Sequence, residues 1–274
     1  MALTGAVMVA CYLLVYGLPW TRDAALPLPL SAPTAVPPAA TQPPPTPIPT
    51  PLPTPVPAPT PTPSPAPTPI PTPVPTPALP LLVNKQNLLP EGYKPTNLVR
   101  LIDVCPRDVV SIKGRDIEGD AAAVDALIAM LRAAIADGVG NWQISAGYRS
   151  FRYQQTLLDN KIAELRRTNN LSRDRARQAA LKTVAPPGAS EHHTGLAFDI
   201  TVPGASFAGT KQAKWLAENS YKFGFVLRYQ AHKEEITGFI AEAWHFRYVG
   251  VEAARVMVYN DWCLEEYVAH FSVN

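Results

Sequence analysis

Five histidines occur in the 274-residue chain, and four of them fall between His192 and His245. His192 precedes Asp199 across Gly195 and into the apolar run Leu196-Ala197-Phe198-Asp199-Ile200, while Glu242 and His245 stand in Glu-Ala-Trp-His. Imidazoles and carboxylates are the ligand types of a catalytic zinc, which takes three protein ligands and leaves a position for water. A carboxylate outside the ligand set can then exchange protons with that water and with a leaving amine. Asp199 carries the most information. A lone carboxylate in an apolar strand is costly to bury, so it requires a cation, either a metal or an arginine such as Arg149 in a purely structural ion pair. Each histidine taken alone reads more readily as a hydrogen-bonded core residue than as a ligand. Glu242 and His245 are three apart, which puts them on opposite faces of an ideal strand, so a shared site requires Glu242 in the loop before the strand. Spacing therefore points to a polar cluster around a cation and leaves that cation open.

The elements that must position these residues follow from capping and periodicity. Asp120 caps a helix to Asp137 whose apolar face is Val124, Leu127, Ile128, Leu131, Ala134 and Ile135, with Gly138 just past its end. Asn141–Ala146 alternates as a strand, a helix follows over Phe151–Arg167, and another starts after Ser172 and stops at Pro186-Pro187-Gly188. Leu196–Val202, Phe225–Tyr229 and Ala243–Val249 read as strands; Thr210–Phe223, Gly250–Tyr259 and Leu264–Phe271 read as helices. Helices and strands do not alternate strictly, which predicts an α+β domain with a small antiparallel sheet flanked by helices.

Composition divides the chain. Of 32 prolines, 25 lie between Pro27 and Pro80, and every odd position from Pro43 to Pro77 is proline. Proline lacks the N–H and fixes φ, so this stretch predicts an extended Pro/Thr-rich spacer over residues 23–83, with one domain over 84–274. Residues 1–22 are almost wholly apolar up to Arg22, without the basic start typical of a secretory signal, and read as a signal peptide or membrane anchor. Together these predict an extracytoplasmic, membrane-anchored or secreted protein held near the cell wall, touching the membrane only through its N-terminal segment. Basic and acidic residues nearly balance (24 against 22), and no basic stripe interleaves with aromatics, so nucleic acid is excluded as a partner. Arg166, Arg167, Arg173, Arg175 and Arg177 read as the solvated face of a helical pair. Cys105 and Cys263 form no metal-binding cluster; a disulfide between them is one of two open readings.

Three strings, in order along the chain, carry a resemblance. Ser145-Ala146-Gly147-Tyr148-Arg149-Ser150, SEHHTGLAFD (Ser190 to Asp199) and EAWHFRYVG (Glu242 to Gly250) resemble the VanY-type D-alanyl-D-alanine carboxypeptidases. That family shares a zinc fold with VanX dipeptidases and, more distantly, with lysostaphin-type peptidases and the hedgehog signalling domain. The resemblance spans about residues 88–271. It implies zinc held by His192, Asp199 and His245, with Glu242 as general base and Arg149 contacting substrate and stabilising the oxyanion. It further implies that Gln154, Ser190 and Tyr229 bind the terminal D-residue of a peptidoglycan stem peptide in a monomeric catalytic domain. His193 stands where the family more often has glutamine and is not expected to be a ligand. Ala146 lengthens the family's turn by one residue, and Ala243 replaces a usual proline. L,D-carboxypeptidase or endopeptidase action on the stem, a non-catalytic wall-binding module, and a structural metal domain are the competing expectations.

Overall fold

The structure, a computed structural model, describes residues 79–272. The expected export segment and nearly all of the expected spacer lie outside the described residues. Packing starts before residue 84: Val83 is buried, the Leu81 carbonyl accepts from Arg247 Nη2 at 2.8 Å, and Asn84 Nδ2 donates to Glu265 Oε1 at 3.0 Å.

In chain order the elements are β1 (Leu98–Arg100), the single turn α1 (Leu101–Val104), β2 (Val110–Ile112), β3 (Glu118–Asp120), α2 (Ala121–Ala136), β4 (Trp142–Ala146), α3 (Phe151–Asn169), α4 (Arg173–Ala180), β5 (Ala197–Thr201), α5 (Lys211–Asn219), β6 (Phe225–Tyr229), α6 (Glu234–Thr237), β7 (Glu242–Tyr248), α7 (Val251–Tyr259) and α8 (Leu264–Ser272). The main helices begin where the sequence offers a cap. Asp120 accepts from the amides of Ala122 and Ala123, Ser150 from Tyr153, Ser172 from Arg175 and Thr210 from Ala213. Helix α3 ends at Asn170 in the left-handed region (φ 50°), which reverses the chain into α4. The five arginines of this hairpin are exposed, as a solvated helical pair requires.

A five-stranded sheet runs β2-β4-β5-β7-β6, and β1 pairs with β3 separately. The domain is α+β as expected, but its sheet is not wholly antiparallel: β2 pairs with β4 in parallel. Helix α2 lies between these two strands in sequence and supplies the crossover that a parallel pair needs. The three-residue strands β1, β2 and β3 escape sequence reading because so few residues show no period.

Strand alternation gives the sheet two different faces. Ile144, Phe198, Ile200, Phe225 and Phe246 point into the main core against Val124, Leu127, Met130 and Leu131 of α2 and Leu216 of α5. On the other side, Val226 packs with Ala254 and Met257 of α7 and with Leu264 and Tyr267 of α8. Asp199 and His245, paired across β5 and β7, are out of phase with Phe198 and Phe246 and so face away from the main core. Cys105 and Cys263 are separate buried thiols; burial pushes them up to about 11 and about 12, so they stay protonated at neutral pH.

Candidate active site

Asp199 stands at the centre of the site. Its neighbour on β4 is Ala146 and on β7 His245, so three adjacent strands bring the strings together. The register slips between Ile144 and Ala146, where β4 spends one more residue than β5. The additional alanine of the Gly-Tyr-Arg turn is thus accommodated by a β-bulge, which re-aims the chain toward the site. Gly147 follows it. A Cβ there would run into the Glu118 carbonyl oxygen, so only glycine allows this approach. Gly147→Ala is expected to cost about 1–3 kcal/mol and to displace the Gly147 carbonyl, which holds the His192 ring. Thermal melting together with a zinc titration would show both effects; an unchanged melt would refute the packing argument.

His192 lies in a 3-10 turn, Glu191–Thr194, closed by Gly195 at φ 71°. Its Nδ1 donates to the Gly147 carbonyl at 2.7 Å, which leaves Nε2 turned to Asp199 Oδ1 at 3.3 Å. His245 Nδ1 also lies 3.3 Å from Asp199 Oδ1. His192 Nε2 and Asp199 Oδ1 are buried, close together and without a hydrogen-bond partner. Ligand atoms of His192, Asp199 and His245 lie within 4.8 Å of one another. Two imidazole nitrogens and a carboxylate oxygen converge there, and His192 Nε2 and Asp199 Oδ1 have no partner among the described residues, a donor set that fits a divalent cation.

Glu242 comes to the same place by a route the ideal strand forbids. It belongs to β7 rather than to the preceding loop, but the register with β6 slips between Leu227 and Tyr229, so that Tyr229 pairs with Glu242 while Leu227 pairs with Phe246. The surplus residues of β7 bulge, and the alternation argument fails over Ala243–His245. Glu242 Oε2 thus ends 3.7 Å from His245 Nδ1.

Electrostatics separate the groups. Burial pushes the Glu242 carboxyl up to about 7; His245 and Arg149 oppose the rise and Asp199 adds to it. Burial, with Arg149 nearby, drives His192 down to about 4, so it is neutral. Burial also opposes charge on His245, but the Asp199 and Glu191 carboxylates that its two ring nitrogens face outweigh it and raise this imidazole to about 9. Burial works against the Asp199 carboxylate too, and His192, His245 and Arg149 hold it well below its ordinary range.

The remaining expected residues line one cavity of about 420 Å³ with this cluster. Arg149 Nη2 pairs with Asp199 Oδ2 at 2.7 Å, so the arginine is at once an ion-pair partner and a wall of the cavity. Gln154 is buried, donates Nε2 to the Ala185 carbonyl at 2.8 Å, and leaves Oε1 unpartnered. Ser190 and Tyr229 are buried in the wall, with the Tyr229 ring 4.8 Å from that of His245. His193 points elsewhere: Nδ1 meets the Arg149 carbonyl at 2.6 Å, Nε2 accepts from the Gly188 amide at 3.1 Å, and the ring stacks on Phe151 at 4.2 Å.

Sequence reading missed Glu191, Arg228 and Arg247, all fully buried. The signal was present: Arg228 and Arg247 sit in apolar strand runs and demand a buried anion, by the argument applied to Asp199. Trp244 also lines the cavity unforeseen.

Comparison with known proteins agrees with this geometry. The sequence model of the VanY D-alanyl-D-alanine carboxypeptidase family matches residues 117–251. The putative carboxypeptidase YodJ of Bacillus subtilis is 41% identical over 192 residues, covering 68% of this chain and 65% of YodJ; the chain therefore spans somewhat less than two thirds of that relative. The structure of VanYB in complex with D-alanine-D-alanine superposes with a TM-score of 0.60 at 39% identity, covering 69% of this chain and 96% of VanYB. A Zn(II) complex of VanY from the VanB-type resistance cassette gives 0.60 at 39%, covering 69% and 97%. With all but a few per cent of VanYB covered at this identity and the three strings assembled around one cation-binding cluster, the chain belongs to the VanY-type D-alanyl-D-alanine carboxypeptidase family.

Proposed function

We propose that the protein is a zinc carboxypeptidase that removes the terminal D-alanine from peptidoglycan stem peptides. The observation that carries this reading is Glu242 standing 3.7 Å from His245 Nδ1, outside the convergent trio of His192, Asp199 and His245, in the wall of the same cavity. Relatives of the same family act on D-alanyl-D-alanine or bind Zn(II), which supports both substrate and metal.

In this reading His192 Nε2, Asp199 Oδ1 and His245 Nδ1 hold the ion. Zinc, when bound, lowers the pKa of water towards neutrality and polarises the scissile carbonyl. Glu242 accepts a proton on its carboxylate from the attacking water and passes it to the departing amine nitrogen. A carboxyl near pH 7 suits both halves of that transfer. Arg149, fixed by Asp199, offers its other N–H groups to the charge growing on the carbonyl oxygen. Gln154 Oε1, Ser190 and Tyr229 receive the terminal D-residue.

An export or anchor segment followed by the Pro/Thr-rich stretch supports action outside the membrane, at the wall. No helix among the described residues is long and apolar enough to cross a membrane.

Mass spectrometry of products from stem peptides tests the reading. The full chain is expected to convert a pentapeptide ending in D-Ala-D-Ala to the tetrapeptide, to leave a tetrapeptide ending in a single D-alanine largely intact, and to stop in excess chelator. Cleavage of the tetrapeptide alone, or activity indifferent to chelator, would refute it.

A further inference from the structure

Behind the cation-binding cluster lies a fully buried carboxylate that no step above uses. Glu191 Oε1 accepts from Arg228 Nε at 2.8 Å and lies 3.0 Å from Arg247 Nη1. Both guanidiniums converge on this single oxygen. The other, Oε2, is left to His245 Nε2 at 3.4 Å. Arg228 is itself held by a fork to Glu265 of α8, Nη1 to Oε2 at 2.9 Å and Nη2 to Oε1 at 2.7 Å, and Arg247 by the Leu81 carbonyl. A carboxylate present only to neutralise two arginines has no need to keep one oxygen on an imidazole.

The two histidines also present different nitrogens. His192 gives its Nδ1 proton to the Gly147 carbonyl and turns Nε2 to Asp199, whereas His245 turns Nδ1 to Asp199 and Nε2 to Glu191. A neutral imidazole binds a metal through the nitrogen without the proton, and the hydrogen bond at the other nitrogen decides which one that is. For His192 a backbone carbonyl decides. For His245 the acceptor is Glu191.

We propose that Glu191 is a positioning residue: it keeps the proton of His245 on Nε2, so that the Nδ1 lone pair is presented to the metal, and Arg228 and Arg247 fix it in the orientation that does so. The proposal rests on the reading of His245 as a zinc ligand. Glu191→Gln tests it, because the near-isosteric amide can still accept from Arg228 through its oxygen but turns an N–H₂ donor towards Nε2, favouring the wrong tautomer. Zinc affinity of the full chain, measured by competition with a chromophoric chelator, is expected to fall about 10- to 100-fold. Affinity within twofold of the parent, with only the melting temperature of the metal-free protein lowered, would overturn the role and leave Glu191 a counter-ion.

Because the substitution weakens compensation of two buried arginines, the unmutated protein supplies an independent reading. Ring ¹⁵N spectra of the zinc-loaded chain are expected to show His245 protonated at Nε2 and metal-bound at Nδ1; zinc on Nε2 would overturn the proposal. A His245 ring that ignores zinc altogether would remove its assignment as a ligand, and the proposal with it. A response at Nδ1 with undiminished affinity in Glu191→Gln would sink the positioning role alone.

Discussion

Glu242→Ala is expected to lower D-alanine release from a stem pentapeptide by roughly a hundred- to ten-thousand-fold, the usual worth of a positioned acid–base group, while zinc stays bound. Glu242 is no member of the convergent trio, so removing it leaves His192, Asp199 and His245 in place. The pH dependence follows from the direction of its shift. Burial disfavours the carboxylate and moves the group up to about 7, and only the deprotonated form can take a proton from water. Activity must therefore fall as pH drops through this value, about tenfold per unit below it. A bound dication favours the carboxylate, so the acid limb lies at or below about pH 7 and not above it. The limb should vanish from the residual activity of Glu242→Ala. Undiminished turnover with zinc retained would remove Glu242 from the chemistry, and a loss of zinc along with activity would move it into the ligand set.

The second large effect is on the metal. Asp199→Asn removes the charge at which both imidazoles and Arg149 point, and it is expected to abolish activity and stoichiometric zinc binding together. Thermal melting reads the same event. At zinc a thousandfold above its dissociation constant the parent gains about 4 kcal/mol, which for a domain of this size is roughly 10 °C; the variant should not respond. An equal zinc-induced shift in Asp199→Asn would show that the ion sits elsewhere. Loading also has a proton cost with a definite sign. In the metal-free protein His245 is raised to about 9, so its protonated form stabilises the fold below its ordinary range and that contribution is lost as pH rises through 9. Zinc must displace this proton, whereas His192, lowered to about 4, has none to lose. Calorimetry at pH 6 in Glu242→Ala protein, in two buffers of different ionisation enthalpy, should find close to one proton released. Two would refute the assignment for His192.

What was legible in the sequence is what depends on near neighbours. Asp120 and Ser172 announce their helices because a cap and its amides lie within three residues, and Phe225–Tyr229 is a strand as its composition suggests. The residue types of the site were legible too: Asp199 in an apolar run asked for a cation, and the ordered strings pointed to the VanY-type family. The tertiary structure decided everything that depends on a partner far along the chain. Glu242 reaches His245 only because β7 bulges against β6, a slip set by the partner strand rather than by the spacing of Glu and His. The parallel seating of β2 on β4 needed the crossover through α2. Arg149 proved to be both the ion-pair partner of Asp199 and a wall of the cavity, two readings that sequence could only set against each other. Glu191 faces His245 from 54 residues away, with Arg228 from β6 and Arg247 from the same strand as His245 closing around one of its oxygens. Local propensity chooses elements and leaves the chemistry of a buried charge to whichever distant residue the fold places beside it.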